Sequence, residues 1–227
     1  MKGPVSHFTT SAALRRAERV FFAFLAVCGA VAVMGIAQSA YSAIQGSAHD
    51  FSSIDERGRI CIFCHTPHDA DTSVQDAPLW NHAVTQKTFQ LYNSPTLDAV
   101  PGQPAGASRL CLSCHDGTVA VDSYGGRTGV IFLSGDVAVG ADELTNDHPV
   151  SFTYDDALAA VDGELFAPSS APSGLGGTIA DDLLFNNQLE CSSCHDVHNG
   201  GAAAAVNDHL LVITQSQSQL CLTCHDK

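Results

Sequence analysis

Beyond residue 34 the chain has no methionine, since Met1 and Met34 are its only two. A thioether side chain is thereby excluded as a metal ligand in everything that follows the first 40 residues. Basic residues are also scarce: Lys and Arg number 10 against 24 Asp and Glu, a formal net charge of −14. After residue 39 the balance is steeper, with Arg57, Arg59, Lys87, Arg109, Arg127 and Lys227 set against 23 acidic residues. Such a surface excludes nucleic acid as a partner and disfavours anionic membrane. It suits basic partners or cations, and it equally keeps a protein soluble. Aromatics make up 7 % of the chain, with one tryptophan, Trp80. That is little material for an all-protein core.

Long apolar runs are confined to the N-terminus. Lys2, Arg15, Arg16 and Arg19 precede an apolar stretch over residues 20–37, and Ala37-Gln38-Ser39 has the small residues of a cleavage site. Residues 1–39 therefore read as a signal peptide, which predicts export to the periplasm, the outer surface or the medium. Two alternatives are an uncleaved anchor and a lipoprotein with Leu25-Ala26-Val27-Cys28 as its lipobox.

No cysteine is spare for a disulfide framework. Of nine, Cys28 lies in the apolar leader and the other eight form four Cys-x-x-Cys-His motifs: Cys61/Cys64/His65, Cys111/Cys114/His115, Cys191/Cys194/His195 and Cys221/Cys224/His225. Two thiols three residues apart on one helical turn reach the two vinyl groups of a haem, and the next residue brings an imidazole to its iron. Zinc is the rival for paired thiols, but zinc has no need of a histidine directly after each pair. The motifs predict four covalent haems c. Only 188 residues follow residue 39, too few to wrap four porphyrins separately, so one haem-cored domain is expected over residues 40–227. Its secondary structure should be mostly irregular with few short α-helices.

Each iron has a further axial position, and its occupant sets the chemistry. With methionine excluded, the candidates are the histidines outside the motifs: His49, His68, His82, His148, His198 and His209. His68 and His198 stand three residues after His65 and His195. Neither can reach the far face of its own haem, so each should serve a different one. Pro149 biases His148 towards extended backbone, and Asp50 is placed to hold an imidazole N–H of His49. The expected distal set is His49, His68, His148 and His198. His82, after Pro78-Leu79-Trp80, is the first reserve, and His209 reads as a surface group.

Motifs one and three carry the extra histidine and motifs two and four do not, which suggests two paired units over about 48–130 and 145–227. Helices are expected over 155–166 and 181–189, and strands over 130–133 and 150–154. Segments 94–108, 124–129 and 167–178 read as loops.

Several segments carry a family resemblance: His49-Asp50-Phe51-Ser52, Cys64-His65-Thr66-Pro67-His68, Pro78-Leu79-Trp80-Asn81-His82, Cys114-His115-Asp116-Gly117-Thr118-Val119-Ala120, His148-Pro149-Val150 and residues 191–198. The chain resembles the multihaem c-type cytochromes with doubled Cys-x-x-Cys-His motifs, and particularly the four-haem extracellular cytochromes of metal-reducing bacteria. Some of those polymerise into filaments. The resemblance implies electron transfer rather than catalysis, with other redox proteins or extracellular acceptors as partners. It also implies a possible homo-polymer in which His68 ligates a haem of a neighbouring subunit. Because motif four ends two residues before the last, that haem is expected to be the fourth. The alternative function is a multihaem reductase of small oxidised nitrogen species, or a subunit feeding electrons to one.

Overall fold

The computed structural model describes residues 44–140, 143–198 and 209–227. The chain divides into two units, Met1–Ala43 and Ile44–Lys227, and the expected signal peptide lies outside the described residues. Among those residues no helix is long and apolar enough to cross a membrane.

Irregular backbone dominates, as expected. Among the described residues there are five short α-helices: α1 (Gly106–His115), α2 (Asp156–Asp162), α3 (Ile179–Leu183), α4 (Cys191–Cys194) and α5 (Gln219–Cys224). Three of them end in a motif. One two-stranded sheet pairs β1 (Phe152–Thr153) antiparallel to β2 (Gln188–Leu189), with Phe152 opposite Leu189.

Local chemistry explains where these elements start and stop. The Asp155 carboxylate accepts from the Leu158 N–H, and Gly163 closes α2 in a left-handed conformation at φ 75°. The helix is thus shorter than the 155–166 expected. Thr178 and Asp181 form a reciprocal cap that starts α3 at Ile179. The expected helix over 181–189 is therefore displaced: α3 stops at Leu183, and Gln188 and Leu189 are the edge of the sheet. The expected strand at 150–154 is found as β1, whereas 130–133 forms no ladder. The latter segment bonds through the Val121 N–H to the Ile131 carbonyl, while Asp122 holds the N–H groups of Val130 and Ile131.

The apolar core is split. Its largest part gathers Phe152, Tyr154, Ala159, Ile179, Leu183, Leu184 and Leu189. Two smaller parts are built from Val74, Trp80 and Leu110 and from Phe89, Leu112 and Leu144. Each side chain of this kind contributes roughly 1.5–3 kcal/mol on burial, but the clusters do not join into one core. Cys64 packs at the edge of one and Cys224 at the edge of another.

Candidate haem sites

The four motif histidines emerge from their turns onto returning straps of backbone. At motif one, Thr66 N–H donates to the Leu79 carbonyl and Asn81 N–H to that of Cys64, both at 2.9 Å. Motif three repeats this with Asp196 to Leu210 at 2.8 Å and Val212 to Cys194 at 2.9 Å. Motif four repeats it again, with Asp226 to Glu164 at 2.8 Å and Phe166 to Cys224 at 2.9 Å. At motif two the Val139 N–H donates to the His115 carbonyl at 2.9 Å.

The straps fix the rings. His65 Nδ1 donates to the Pro78 carbonyl at 2.6 Å, His115 Nδ1 to that of Val137 at 2.7 Å and His195 Nδ1 to that of His209 at 2.8 Å. A carbonyl can only accept, so the proton sits on Nδ1 and Nε2 is left as a lone-pair donor for a metal. His148 is set the same way, Nδ1 to the Pro149 carbonyl at 2.9 Å. These acceptors are backbone oxygens, so no side-chain signal announces them. The visible trace is strain: Leu79 and Leu210 hold φ of 52° and 57° in the two equivalent straps.

Imidazoles meet in pairs. The His65 and His198 ring centroids lie 5.9 Å apart, those of His49 and His115 6.0 Å apart, and those of His148 and His225 6.4 Å apart. A metal–imidazole bond of about 2 Å on each side, plus half of each ring, puts two rings trans on one metal at roughly 6 Å between centroids. Each pair joins one motif histidine to one of the expected distal set. His198 faces the first motif rather than its own. Among the described residues no imidazole faces His195 at such a spacing, and the exposed His68 faces none.

Burial prepares His49 for ligation. Desolvation first, then the charges of His115, His195 and His198, hold its pKa down at about 4, so its imidazole is neutral at physiological pH. Its Nδ1 is buried without a partner. Asp50 does not serve it, contrary to expectation, because that carboxylate is taken by Gly46 N–H and by Ser52 N–H and Oγ–H. The buried indole Nε1 of Trp80 is likewise unpaired. Orphan donors beside motif residues fit a large group with polar edges lying against them.

The thiols also fit. Burial pushes Cys64, Cys194 and Cys224 up to about 11 and Cys114 up to about 12. The Cys191 thiol is the exception, lowered by its bond to Cys111. Among the described residues no three His, Cys, Asp or Glu side chains converge as a closed metal site would require.

Consecutive motifs are neighbours in space. Cys64 influences Cys114 electrostatically, Cys111 is hydrogen-bonded to Cys191, and Cys221 influences Cys194. The middle contact depends on Glu190, which was not singled out in the sequence. Its buried carboxylate accepts from Ser108 N–H and Ser151 Oγ–H, while Ser108 Oγ accepts from Cys191 N–H at 2.9 Å. Burial raises the pKa of Glu190, and the bonds from Ser108 and Ser151 oppose that shift. Ser108, fully buried, lets α1 and α4 approach closely. Motifs two and three are thus joined directly, across the boundary between the paired units expected from sequence.

Residues 185–227, which include motifs three and four, match the family described as the doubled CXXCH motif. The match supports a multihaem c-type cytochrome. It supports covalent c-type haem and electron transfer at the Cys-x-x-Cys-His motifs, and the cysteines and histidines above are the residues that would hold the haem. No curated protein matches the chain.

Proposed function

We propose that the protein is an electron conduit outside the cytoplasm, carrying four covalent haems whose irons each have two imidazole ligands. The observation that carries this reading is the set of three histidine pairs at 5.9, 6.0 and 6.4 Å. A haem held there supplies one-electron chemistry at its iron. The chain aims Nε2 through the backbone carbonyls, holds His49 neutral, and at motifs one, two and four sets a second imidazole opposite the motif histidine, where the two together would close an iron to substrate.

The leftover histidines deepen the proposal. Among the described residues no ring faces His195 at the spacing of the three pairs, and none faces His68. Ligation of the third haem by His68 of a second copy satisfies both and makes a polymer with haems continuing across each interface. The haem completed in trans is then the third, not the fourth as the sequence suggested, because His225 is faced by His148. The acidic surface works against such assembly, so a coordinate bond is a suitable way to hold the register.

The same open position favours a second reading, a reductase working at the iron of His195. The variant His68→Ala separates them. The conduit reading expects loss of assembly, with a folded monomer whose third haem turns high-spin. Assembly that survives the change, or reduction of nitrite or hydroxylamine at the third haem of the wild-type assembly, would favour the alternative.

A further inference from the structure

At three of the four motifs the residue just before the second cysteine carries a hydroxyl that bonds back into its own turn. Ser113 Oγ–H donates to the Arg109 carbonyl at 2.8 Å, Thr223 Oγ1–H to that of Gln219 at 2.9 Å, and Ser193 Oγ accepts from the Glu190 N–H at 2.9 Å. The first motif has a phenylalanine there instead. Phe63 ends the 3-10 turn Cys61–Phe63, and at 1 % exposed its ring is spent on the interior.

There it joins a row of rings. Phe63 meets Tyr124 edge-on at 4.7 Å between centroids and Phe51 at 5.4 Å, and Phe51 meets His49 edge-on at 6.3 Å. His49 is the ring that faces His115. The far end of the row is fixed, since Arg127 lies 3.9 Å over the Tyr124 ring and the Tyr124 hydroxyl donates to Asp55 at 3.0 Å. The near end is fixed differently. Among the described residues, the hydrogen bonds of residues 44–54, which carry His49, all close within residues 44–55. Rings, not hydrogen bonds, set this turn against the first motif.

We propose that Phe63, although it stands between the two cysteines of the first motif, is a positioning residue for the second haem: through Phe51 it holds His49 facing His115. The inference rests on the reading of His49 and His115 as the two ligands of one iron. It accounts for the one motif that lacks a hydroxyl, and it ties the attachment turn of one haem to the ligand of the next.

The test measures ligand release in the reduced holoprotein. Carbon monoxide binds a ferrous haem only where an axial position is open, so its binding rate reads the hold on each distal imidazole. His49→Ala marks which haem is the second. Phe63→Ser gives the first motif the residue found at the second and third, so haem should still be attached at Cys61 and Cys64, with the first iron as slow as in wild type. The second haem should bind carbon monoxide on the order of tenfold faster, the size of one lost ring pair. Phe51→Leu, which leaves the first motif untouched, should do the same, and it decides alone where the Ser variant loses the first haem. Tyr124→Phe keeps its ring and should leave the second haem near wild type. An unchanged second haem in either of the first two variants would overturn the proposal. So would equal acceleration at every haem, or acceleration in Tyr124→Phe as large as in Phe63→Ser, which would place the hold in the bond to Asp55. A His49→Ala protein with every haem as slow as in wild type would instead overturn the ligand reading beneath it.

Discussion

A histidine's partners decide whether its loss is felt at an iron or only at the surface. His148→Ala and His198→Ala each remove a ring facing a motif histidine at 6.4 or 5.9 Å. Each should turn one haem towards high spin with its thioether bonds intact. His209 uses its backbone carbonyl to orient His195, so His209→Ala should change little. Optical spectra of the three variants check this, and equal effects would mean that the ring pairs are misassigned. Asp55 gives a pH-dependent counterpart. Its carboxylate accepts from Arg59 Nε and Nη2, from the N–H groups of Arg57 and Arg59, and from Tyr124. The Arg59 guanidinium, first, holds its pKa far below the ordinary 3.8. A depressed carboxyl stabilises the fold above that ordinary value, and the contribution is lost as the pH falls below it. Asp55→Asn should therefore melt lower than wild type at pH 7, with the difference shrinking in acid. A constant difference from pH 7 to the lowest pH tolerated would contradict this. The histidines that meet in pairs were among those singled out in the sequence, because metal ligation depends on side-chain identity. The ring-orienting groups were not, because Pro78, Val137 and His209 act through main-chain oxygens that any residue supplies.

Elements here are short because each has little apolar surface to bury, the core being divided among three small clusters. Caps and glycine set their bounds: Asp155 starts α2 where expected, Gly163 ends it short of the expected 166, and α3 was displaced. In α3 the apolar spacing of residues 181–189 resembles a helix, but the Thr178–Asp181 cap starts the turn earlier and β1 claims Leu189. The contact between α1 and α4 was invisible in the sequence, since Ser108 and Glu190 lie 82 residues apart. That contact supports a prediction. Ser108 is fully buried and spans the two helices, so Ser108→Val should cost roughly 1–3 kcal/mol by overpacking. Ser108→Ala should cost about 1 kcal/mol through the lost hydrogen bond to Cys191. Thermal unfolding of both variants checks the order, and a neutral Val variant would show that the helices do not pack closely there.

At the scale of the molecule, three apolar clusters stay separate while the motifs approach one another in sequence order. The sequence conveyed the irregular fold, because motif density and few aromatics leave no other core. It did not convey which motifs touch, since that depends on strap geometry. The order Cys64, Cys114, Cys111, Cys191, Cys194, Cys221 sets the four motifs side by side along the chain. Lacking methionine ligands and surrounded by acids, the irons should titrate at low potential over a broad, overlapping range. A single high-potential wave in voltammetry would contradict that. The most direct test of the whole account is electron paramagnetic resonance of the oxidised, assembled wild-type protein, with spins counted per chain. The account predicts four low-spin ferric centres with bis-imidazole signatures and no high-spin signal. A high-spin centre present at one per chain in the assembled protein would contradict it.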